Sequence, residues 1–469
     1  MAHFARLKAW TLDTWQAFSP RERLLIGACL LGLGALATYS VYSQLDRPHD
    51  IRNSNVAFVK DQQADEHPIR GAVSWPWFGF DRARTKHLDA PRLRPPFRQL
   101  WRYQRGALLE FTPVATHGRI FGVDNNAVAF ALRAKRGTEL WRHDFGVLNA
   151  ASPAYHRGHL YVVTLDPPQA LAIDAKNGHR VWQRDLPSRS ESSPVTVGKR
   201  VFFGSEDGTV YALDTRSGET VWATRLEGEV KAAPAFHDGN LFVGDYAGKM
   251  YSIDADDGSI NWASSDLGIG LGRSGRFYST PAVAYGRVFA GNVDRRVYSF
   301  SEQTGEIAWT YSAANYVYSG VAVAETEKTP PAVYFGSHDT YLYSVDAESG
   351  SLNWKVPVGG QVSGPATVIG PNVYISTFTG NSTSGYDLSS TRRTFKLNQG
   401  QYGPVISNGR LIFVIGADTI TALEPLKHSR QPGAGGKKQS GDGGTKLKER
   451  ADSVGIIGAV PRHTGIRAP

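Results

Sequence analysis

The sequence predicts an all-β protein, an eight-bladed β-propeller built from four-stranded antiparallel blades. Glycine at 50 of 469 residues and aromatic residues at 11% suit many short strands joined by tight turns. Tryptophan recurs about every 40 residues, at Trp101, Trp141, Trp182, Trp222, Trp262, Trp309 and Trp354. A fixed period of this length indicates one supersecondary unit that must stack on copies of itself to bury its apolar face.

One repeat unit shows the four strands. Residues 193–204 form two alternating apolar runs around a Gly-Lys turn, which predicts a β-hairpin. A turn at 205–208 leads to a third strand, 209–213. A second turn, 214–218, leads to a fourth strand that carries Trp222. Four antiparallel strands in about 40 residues is the size of a propeller blade.

The turn before the tryptophan is patterned, with an aspartate four residues before a glycine that itself lies four before the tryptophan. The pattern begins at Asp174, Asp214, Asp254 and Asp346. Aspartate can accept bonds from backbone N–H groups in a tight turn, and glycine supplies the positive φ. The repeat therefore specifies its own turns.

The count of blades depends on the two ends of the array. Seven units run from Pro113 to Phe395, and an eighth begins at Pro404 but lacks its tryptophan strand. Residues 97–103, which contain Trp101, supply a strand of the missing kind. We therefore expect this N-terminal strand to complete the last blade and close the ring over residues 97–426, leaving no open edges.

The motif Ala212-Leu-Asp214-Thr-Arg-Ser217-Gly218-Glu-Thr-Val-Trp222 resembles the pyrroloquinoline-quinone-type propeller repeat. The resemblance covers residues 75–426, including a lead-in, Trp75-Pro-Trp-Phe-Gly-Phe-Asp-Arg-Ala-Arg-Thr85, common ahead of such propellers. In this family the repeated tryptophan docks against the neighbouring blade. The resemblance therefore implies a structural docking role for Trp141, Trp182, Trp222, Trp262, Trp309 and Trp354.

Two branches of that family lead to different expectations about chemistry. Quinoprotein dehydrogenases bind the quinone and a calcium ion in the central funnel and carry an adjacent Cys-Cys pair. The single cysteine, Cys29, cannot supply that pair. The chain is more similar to the BamB-like branch, scaffolds that bind a partner without a cofactor. The resemblance thus predicts no cofactor, no metal, no catalytic residues and a protein that is not an enzyme.

The N-terminal region predicts a membrane anchor. Residues 24–45 carry no charge and are long enough to cross about 30 Å of hydrocarbon as a helix. A cleaved signal peptide, a lipidated Cys29 and a buried soluble helix are the alternatives. With an uncleaved transmembrane helix, residues 1–23 would be a cytoplasmic tail and 46–96 a linker and lead-in. The protein would then be a single-pass membrane protein with its propeller on the extracytoplasmic side.

The charge is concentrated at the termini. The total is +9, of which residues 427–469 carry +6 and residues 1–23 carry +2. The Gly/Lys-rich composition of 427–469 predicts a disordered basic tail. Because the remainder carries only +1, the folded part lacks the basic surplus typical of nucleic-acid-binding proteins.

Two motifs suggest chemistry but are better explained by the repeat. Residues 270–275 match GxGxxG, yet they lie between blades and not between a strand and a helix, so we expect no nucleotide site. Residues 254–258 resemble the start of a calcium loop, but Ser265 stands where the bidentate glutamate would be. The histidines show no metal-ligand spacing.

The segments that join successive blades should gather on one face of the ring, which we call the loop face. The longest is 266–279, the insertion that widens one tryptophan spacing to 47 residues. Loops on a rigid scaffold carry binding more often than the scaffold itself, and tyrosine and arginine favour interfaces. The candidate partner-binding residues are Arg189, Glu191, Glu229, Lys231, Arg273, Arg276, Tyr278, Tyr316, Tyr318, Gln361 and Tyr402.

The sequence therefore predicts a membrane-anchored extracytoplasmic propeller scaffold that binds a protein partner, in cell-envelope assembly or sensing. The alternatives are a quinone-dependent dehydrogenase and a propeller that binds a small ligand in its funnel.

Overall fold

A computed structural model describes residues 18–45, 49–60, 73–268, 274–403 and 405–426. These residues form one helix, α1 (Pro20–Leu45), and 33 strands. The strands make eight sheets, each built from four strands of the repeat in antiparallel order. The eight-bladed propeller predicted from the sequence is confirmed.

The first four blades follow the chain in order. Blade 1 comprises β3 (Val114–Thr116), β4 (Arg119–Val123), β5 (Val128–Arg133) and β6 (Glu139–Asp144). Blade 2 comprises β7 (Ala154–His156), β8 (His159–Thr164), β9 (Gln169–Asp174) and β10 (Arg180–Asp185). Blade 3 comprises β11 (Val195–Val197), β12 (Arg200–Gly204), β13 (Thr209–Asp214) and β14 (Thr220–Arg225). Blade 4 comprises β15 (Ala235–His237), β16 (Asn240–Gly244), β17 (Lys249–Asp254) and β18 (Ile260–Ser265).

The last four blades continue the ring. Blade 5 comprises β19 (Ala282–Ala284), β20 (Arg287–Gly291), β21 (Arg296–Ser301) and β22 (Ile307–Ser312). Blade 6 comprises β23 (Ala322–Thr326), β24 (Thr329–Gly336), β25 (Tyr341–Asp346) and β26 (Leu352–Pro357). Blade 7 comprises β27 (Thr367–Ile369), β28 (Asn372–Thr377), β29 (Ser382–Asp387) and β30 (Arg393–Leu397), with the short β1 (His87–Leu88) added in parallel. Blade 8 comprises β31 (Ile406–Ser407), β32 (Ile412–Ile415), β33 (Thr419–Pro425) and β2 (Phe97–Gln104).

Blade 8 joins the two ends of the propeller. Strand β2 pairs antiparallel with β33, with Trp101 opposite Ala422. The first strands of blades 1 and 8 are in contact, so the ring is closed. The N-terminal closing strand predicted from the sequence is confirmed.

Six of the repeat tryptophans link their blade to the next one. The indole Nε1 of Trp222 donates a hydrogen bond of 3.1 Å to the carbonyl oxygen of Ala255 in blade 4. A Cβ on Gly258 (φ +80°) would lie 2.7 Å from the same indole. The glycine is therefore required both for the turn and for the close approach of the ring. Equivalent indole–carbonyl bonds are made by Trp101, Trp141, Trp182, Trp262 and Trp309.

The lead-in segment before the first blade fills the centre of the ring. Its backbone carbonyls accept hydrogen bonds from first-strand amides of successive blades. The donors are Ala115, Tyr155, Phe236, Val283, Val323 and Val368. The indole of Trp77 reaches blade 3, donating to the Thr196 hydroxyl at 2.9 Å. We call residues 75–88 the plug, because they close the central channel.

Two cations of the plug are fully buried. The Arg84 guanidinium donates to the carbonyl oxygens of Pro234 at 3.0 Å, of Ser193 and Pro194 at 3.1 Å, and of Phe78. The Lys86 ammonium donates to the Arg84 carbonyl at 2.8 Å. Burial lowers the pKa of Arg84 to about 9 and that of Lys86 to about 7.

Lys86 should make the stability of the propeller depend on pH. Its pKa is about 7 when folded and 10.5 as the ordinary value, so between these values the unfolded chain binds more protons. The free energy of unfolding should therefore rise with pH above 7, by at most about 1.4 kcal/mol per pH unit. Urea unfolding at pH 7, 8 and 9 measures this slope. The Lys86→Met variant should lose the Lys86 contribution, and an identical slope in both proteins would contradict the assignment.

Part of the predicted linker packs on the outside of blade 5. Arg52 forms an antiparallel bridge with Trp309, and the Asn53 amide donates to the Ala308 carbonyl at 2.7 Å. The Arg287 guanidinium donates to the carbonyls of Val56 and Ala57. Residues 49–60 therefore cover the outer edge of this blade, which the polar composition of the segment did not predict.

Helix α1 begins with a capping box, because the Ser19 amide donates to the Glu22 carboxylate at 2.8 Å and the Glu22 amide to the Ser19 hydroxyl. Its first turn carries Arg21, Glu22 and Arg23, and its side chains are described as far as Thr38. No helix among the described residues is long and apolar enough to cross a membrane. On this finding the predicted transmembrane anchor at 24–45 is not supported, and the predicted single-pass membrane localisation is wrong. The predicted tails, 1–17 of the N-terminal one and 427–469, lie outside the described residues.

Candidate functional site

The loop face contains a central cavity of about 310 Å³, which we call the funnel. Its walls come from the inter-blade segments, and Phe78 of the plug also lines it. The lining residues are Phe78, Glu110, Phe111, Glu191, Ser193, Lys231, Ala233, Tyr278, Thr280, Tyr318, Gly320, His338, Ser363, Gly364, Pro365 and Tyr402. The funnel is therefore small, mixed in polarity and rich in aromatic rings.

One repeat position supplies much of the lining. The residue three before the first-strand proline, or before Val321 in blade 6, lines the funnel in five blades. These residues are Glu110, Glu191, Lys231, Tyr278 and Tyr318. Because the repeat orients each first strand in the same way, this position faces the axis in every one of those blades. Its identity varies, so the scaffold presents different chemistry around one ring.

The charged wall of the funnel is organised by Lys231. Its ammonium lies 2.9 Å from a Glu191 oxygen, 3.1 Å from Glu206 and 3.8 Å from Glu229. Burial lowers the pKa of Lys231, but its hydrogen bonds and ion pairs with Glu191 and Glu206 more than offset this, so the pKa is raised. The second Glu191 oxygen accepts the Tyr278 hydroxyl at 3.2 Å. Lys231 therefore stays charged and fixes Glu191 in the wall.

Aromatic rings continue the face beside this charged wall, and the Lys231 ammonium lies 5.5 Å from the centroid of the Tyr246 ring. The ring of Tyr278 lies 6.1 Å from Tyr246 and 5.7 Å from Tyr318. Tyr318 continues to Tyr316 at 5.9 Å and to His338 at 5.0 Å. These five residues, which we call the aromatic arc, form a connected series over blades 4 to 6. Tyrosine rings held in this way offer contact area at a low cost in conformational entropy.

The structure brings together most of the predicted partner-binding residues. Those in or beside the funnel and the aromatic arc are Glu191, Glu229, Lys231, Arg276, Tyr278, Tyr316, Tyr318 and Tyr402. The Arg276 guanidinium lies over the Tyr246 ring at 5.3 Å. Arg189 and Gln361 do not line the funnel; their backbone groups bond to Glu206 and to Phe378 and Thr379. Arg273 lies outside the described residues.

Several residues of this site were not predicted from the sequence. Glu110 could have been found, because it occupies the same repeat position as Glu191 and Lys231. Glu206, Tyr246 and His338 lie in turns between second and third strands. Antiparallel order returns these turns to the face where the inter-blade segments lie. The alternating direction of the strands within a blade could therefore have placed these turns on the loop face.

The long insertion is tied down at both ends. The Asp266 carboxylate accepts hydrogen bonds from the amides of Gly268 and Gly275 and from the Asn292 side chain. Burial, with the charge of Asp294, raises the pKa of Asp266 to about 6. The first two glycines of the GxGxxG match fall in 269–273, outside the described residues. Within the described residues, no group of three or more His, Cys, Asp or Glu could hold a metal ion.

A family model described as outer membrane protein assembly factor BamB matches residues 97–218 and 206–430. This chain belongs to the BamB family. The match covers the propeller, and it confirms the resemblance drawn from the repeat motif. The matched residues include the Asp-x-x-x-Gly-x-x-x-Trp turns of the repeat.

Solved structures show the same fold in two kinds of protein. BamB from Moraxella catarrhalis is 16% identical, with a TM-score of 0.59 over 70% of this BamB-family chain and 100% of that one. A quinohaemoprotein alcohol dehydrogenase from Comamonas testosteroni is 13% identical, with a TM-score of 0.63 over 78% of this chain and 83% of that one. At these identities the likeness shows the fold alone.

A curated relative is an enzyme. The 1-butanol dehydrogenase (cytochrome c) of Thauera butanivorans is 31% identical over 156 residues, 28% of this chain and 22% of that protein. The curated relatives are matched over only 19% to 28% of their own lengths. The prediction that the chain is not an enzyme is nevertheless wrong, because the chain is similar to alcohol dehydrogenases and an enzymatic function therefore stays open. The prediction rested on the repeat, and a solved alcohol dehydrogenase shares the fold that this repeat builds, so the repeat does not exclude catalysis.

Proposed function

We propose that this BamB-family chain binds a protein partner on its loop face and acts as a scaffold in cell-envelope assembly. The observation that carries the proposal is the convergence of charged and aromatic side chains from five blades on one face, around the funnel. Such residues, mounted on a closed and plugged ring, give a rigid surface that needs little ordering on binding. The family model is described as an outer membrane protein assembly factor, and this description supports a role in cell-envelope assembly.

Site-specific photo-crosslinking tests this proposal. A photoreactive residue at Tyr316, on the loop face and 41% exposed, should give a discrete adduct in envelope extracts of the source cells. The matched control is Val181 on the outer strand of blade 2, 49% exposed, which should give none. Charge reversal at Glu229, on the same face, should weaken the Tyr316 adduct. Equal adducts at both positions would contradict binding through the loop face.

Alcohol oxidation in the funnel is a second candidate, and the match to the 1-butanol dehydrogenase favours it. The quinone of the related dehydrogenases fits these residues poorly. The quinone bears carboxylates, whereas the funnel presents Glu110 and Glu191, and its cation Lys231 is already paired with Glu191. Reconstitution of the purified chain with the quinone and calcium is the direct test. Saturable binding with alcohol oxidation would establish this second function.

A further inference from the structure

We infer that the funnel receives an arginine side chain of the protein partner, with Glu110 as its counter-charge and the surrounding aromatic rings as its walls. The inference rests on the proposed function, because the partner supplies the arginine. It adds the chemistry of the contact at the centre of the loop face. Three features of the funnel carry it: its size, the position of Glu110 and the aromatic lining.

The size of the funnel limits what can enter. A volume of about 310 Å³ lies at the lower end of ligand pockets, which span about 300–1,000 Å³. A helix is about 10–12 Å wide with its side chains and needs a larger opening. Phe78 of the plug lines the cavity, and the channel beyond it is closed by the plug. The funnel therefore suits a single inserted side chain.

Glu110 is the carboxylate of the funnel that has no cation. Glu191 is engaged by Lys231 and Tyr278, and Glu206 and Glu229 also lie within 4 Å of Lys231. In the part of the chain that the structure describes, Glu110 makes neither an ion pair nor a hydrogen bond. Burial and the charge of Glu191 raise the pKa of Glu110, as expected for a partly desolvated carboxyl beside a like charge. A bound cation would relieve both effects.

The rings around Glu110 favour an organic cation. Phe111, Tyr278 and Tyr402 line the same cavity, and the Glu110 charge contributes to the raised pKa of both tyrosines after the larger effect of burial. A cation over an aromatic face is stabilised by the ring quadrupole, and more strongly where water is excluded. The planar guanidinium can stack on a ring while it donates two parallel hydrogen bonds to a carboxylate. An ammonium is also attracted to a ring face and to a carboxylate, but it can neither stack as a plane nor donate two parallel hydrogen bonds, which is why we assign arginine.

Binding of a minimal probe to the full chain tests the assignment. Acetyl-arginine-amide should bind saturably, and acetyl-citrulline-amide, of the same shape but neutral, should bind at least about tenfold more weakly. The Glu110→Gln variant should lose about tenfold or more in affinity for the arginine probe. The Glu227→Gln variant is the matched control, because Glu227 pairs with Lys249 outside the funnel, and it should bind as the natural chain does.

Several outcomes would overturn the inference. They are equal binding of the citrulline probe, unchanged binding by a Glu110→Gln variant with the natural melting temperature, and equal binding of acetyl-lysine-amide. If the probe fails while the Tyr316 adduct persists, the partner still binds the loop face and only the arginine site is wrong. If the Tyr316 adduct is absent while the probe binds as described, the proposed function is contradicted and the cation site itself stands.

Discussion

Replacing residues 98–103 of β2 with six Gly/Ser residues should destabilise the propeller more than the same replacement in any blade whose strands are continuous in sequence. The variant loses Trp101, whose indole bonds the Ala134 carbonyl at 3.0 Å. Truncation of a fully buried tryptophan costs about 3–5 kcal/mol, and Trp101 is partly buried, so its loss should cost somewhat less. It also loses the pairing of β2 with β33, which ties the two ends of the ring together.

The matched control is the same six-residue replacement of β14 (Thr220–Arg225), which removes Trp222 but leaves blade 3 connected on both sides. Thermal unfolding should show a lower midpoint for the β2 variant than for the β14 variant. Hydrogen exchange should be faster along the whole of blade 8, and the free edge of β33 should promote self-association. Equal midpoints, with exchange changed only in the outer strands, would show that closure adds nothing to tryptophan docking.

Arg84→Met should release the plug. The substitution leaves the carbonyls of Pro234, Ser193, Pro194 and Phe78 without the donor they have in the folded chain. A buried group that loses its hydrogen-bond partner costs about 1–3 kcal/mol, so several such groups should together cost about 3–5 kcal/mol even after partial rearrangement. Methionine keeps the apolar volume, which separates the loss of hydrogen bonds from the creation of a cavity.

Arg82→Met is the comparison within the same segment. Arg82 is only partly buried, donating from Nε to the Thr196 carbonyl at 3.0 Å and lying over the Trp77 ring. Its loss should cost about 1–2 kcal/mol, since a net hydrogen bond contributes about 1 kcal/mol and a cation–π contact about 0.5–1 kcal/mol. Urea unfolding measures both variants. In Arg84→Met, exchange should also accelerate at the amides of Val283 and Val323, which donate to plug carbonyls. An effect of Arg84→Met no larger than that of Arg82→Met would contradict this role.

The β2 replacement and Arg84→Met act on two different parts of the scaffold that shape the site. Loss of β2 acts on the ring, whereas loss of Arg84 acts on the segment that includes Phe78 and so on the lining of the funnel. If the funnel binds a cation, Arg84→Met should weaken that binding by loosening Phe78 while Glu110 and Lys231 stay in place. The blades themselves should be retained, since their strands pair independently of Arg84.

Some residues of the site could be predicted from the sequence, and others could not. Glu191, Lys231 and Tyr278 were found because inter-blade segments can be read from the repeat. Tyr246 and His338 belong to other turns and join the aromatic arc only through ring contacts that cross blades. The prediction of a membrane span at 24–45 rested on the absence of charge and the length of that segment, whereas no helix among the described residues is long and apolar enough to cross a membrane.

The sequence by itself determined the repeat, the number of blades, the closing strand and the docking tryptophans. These features follow from local turns and a fixed period, and each copy of the unit repeats the same contacts. Only the tertiary structure decided the plug, the packing of residues 49–60 on blade 5 and the ring contacts that bring Tyr246 and His338 into the aromatic arc. Those features depend on contacts between residues that have no periodic relation to one another, and their partners become neighbours only when the ring closes.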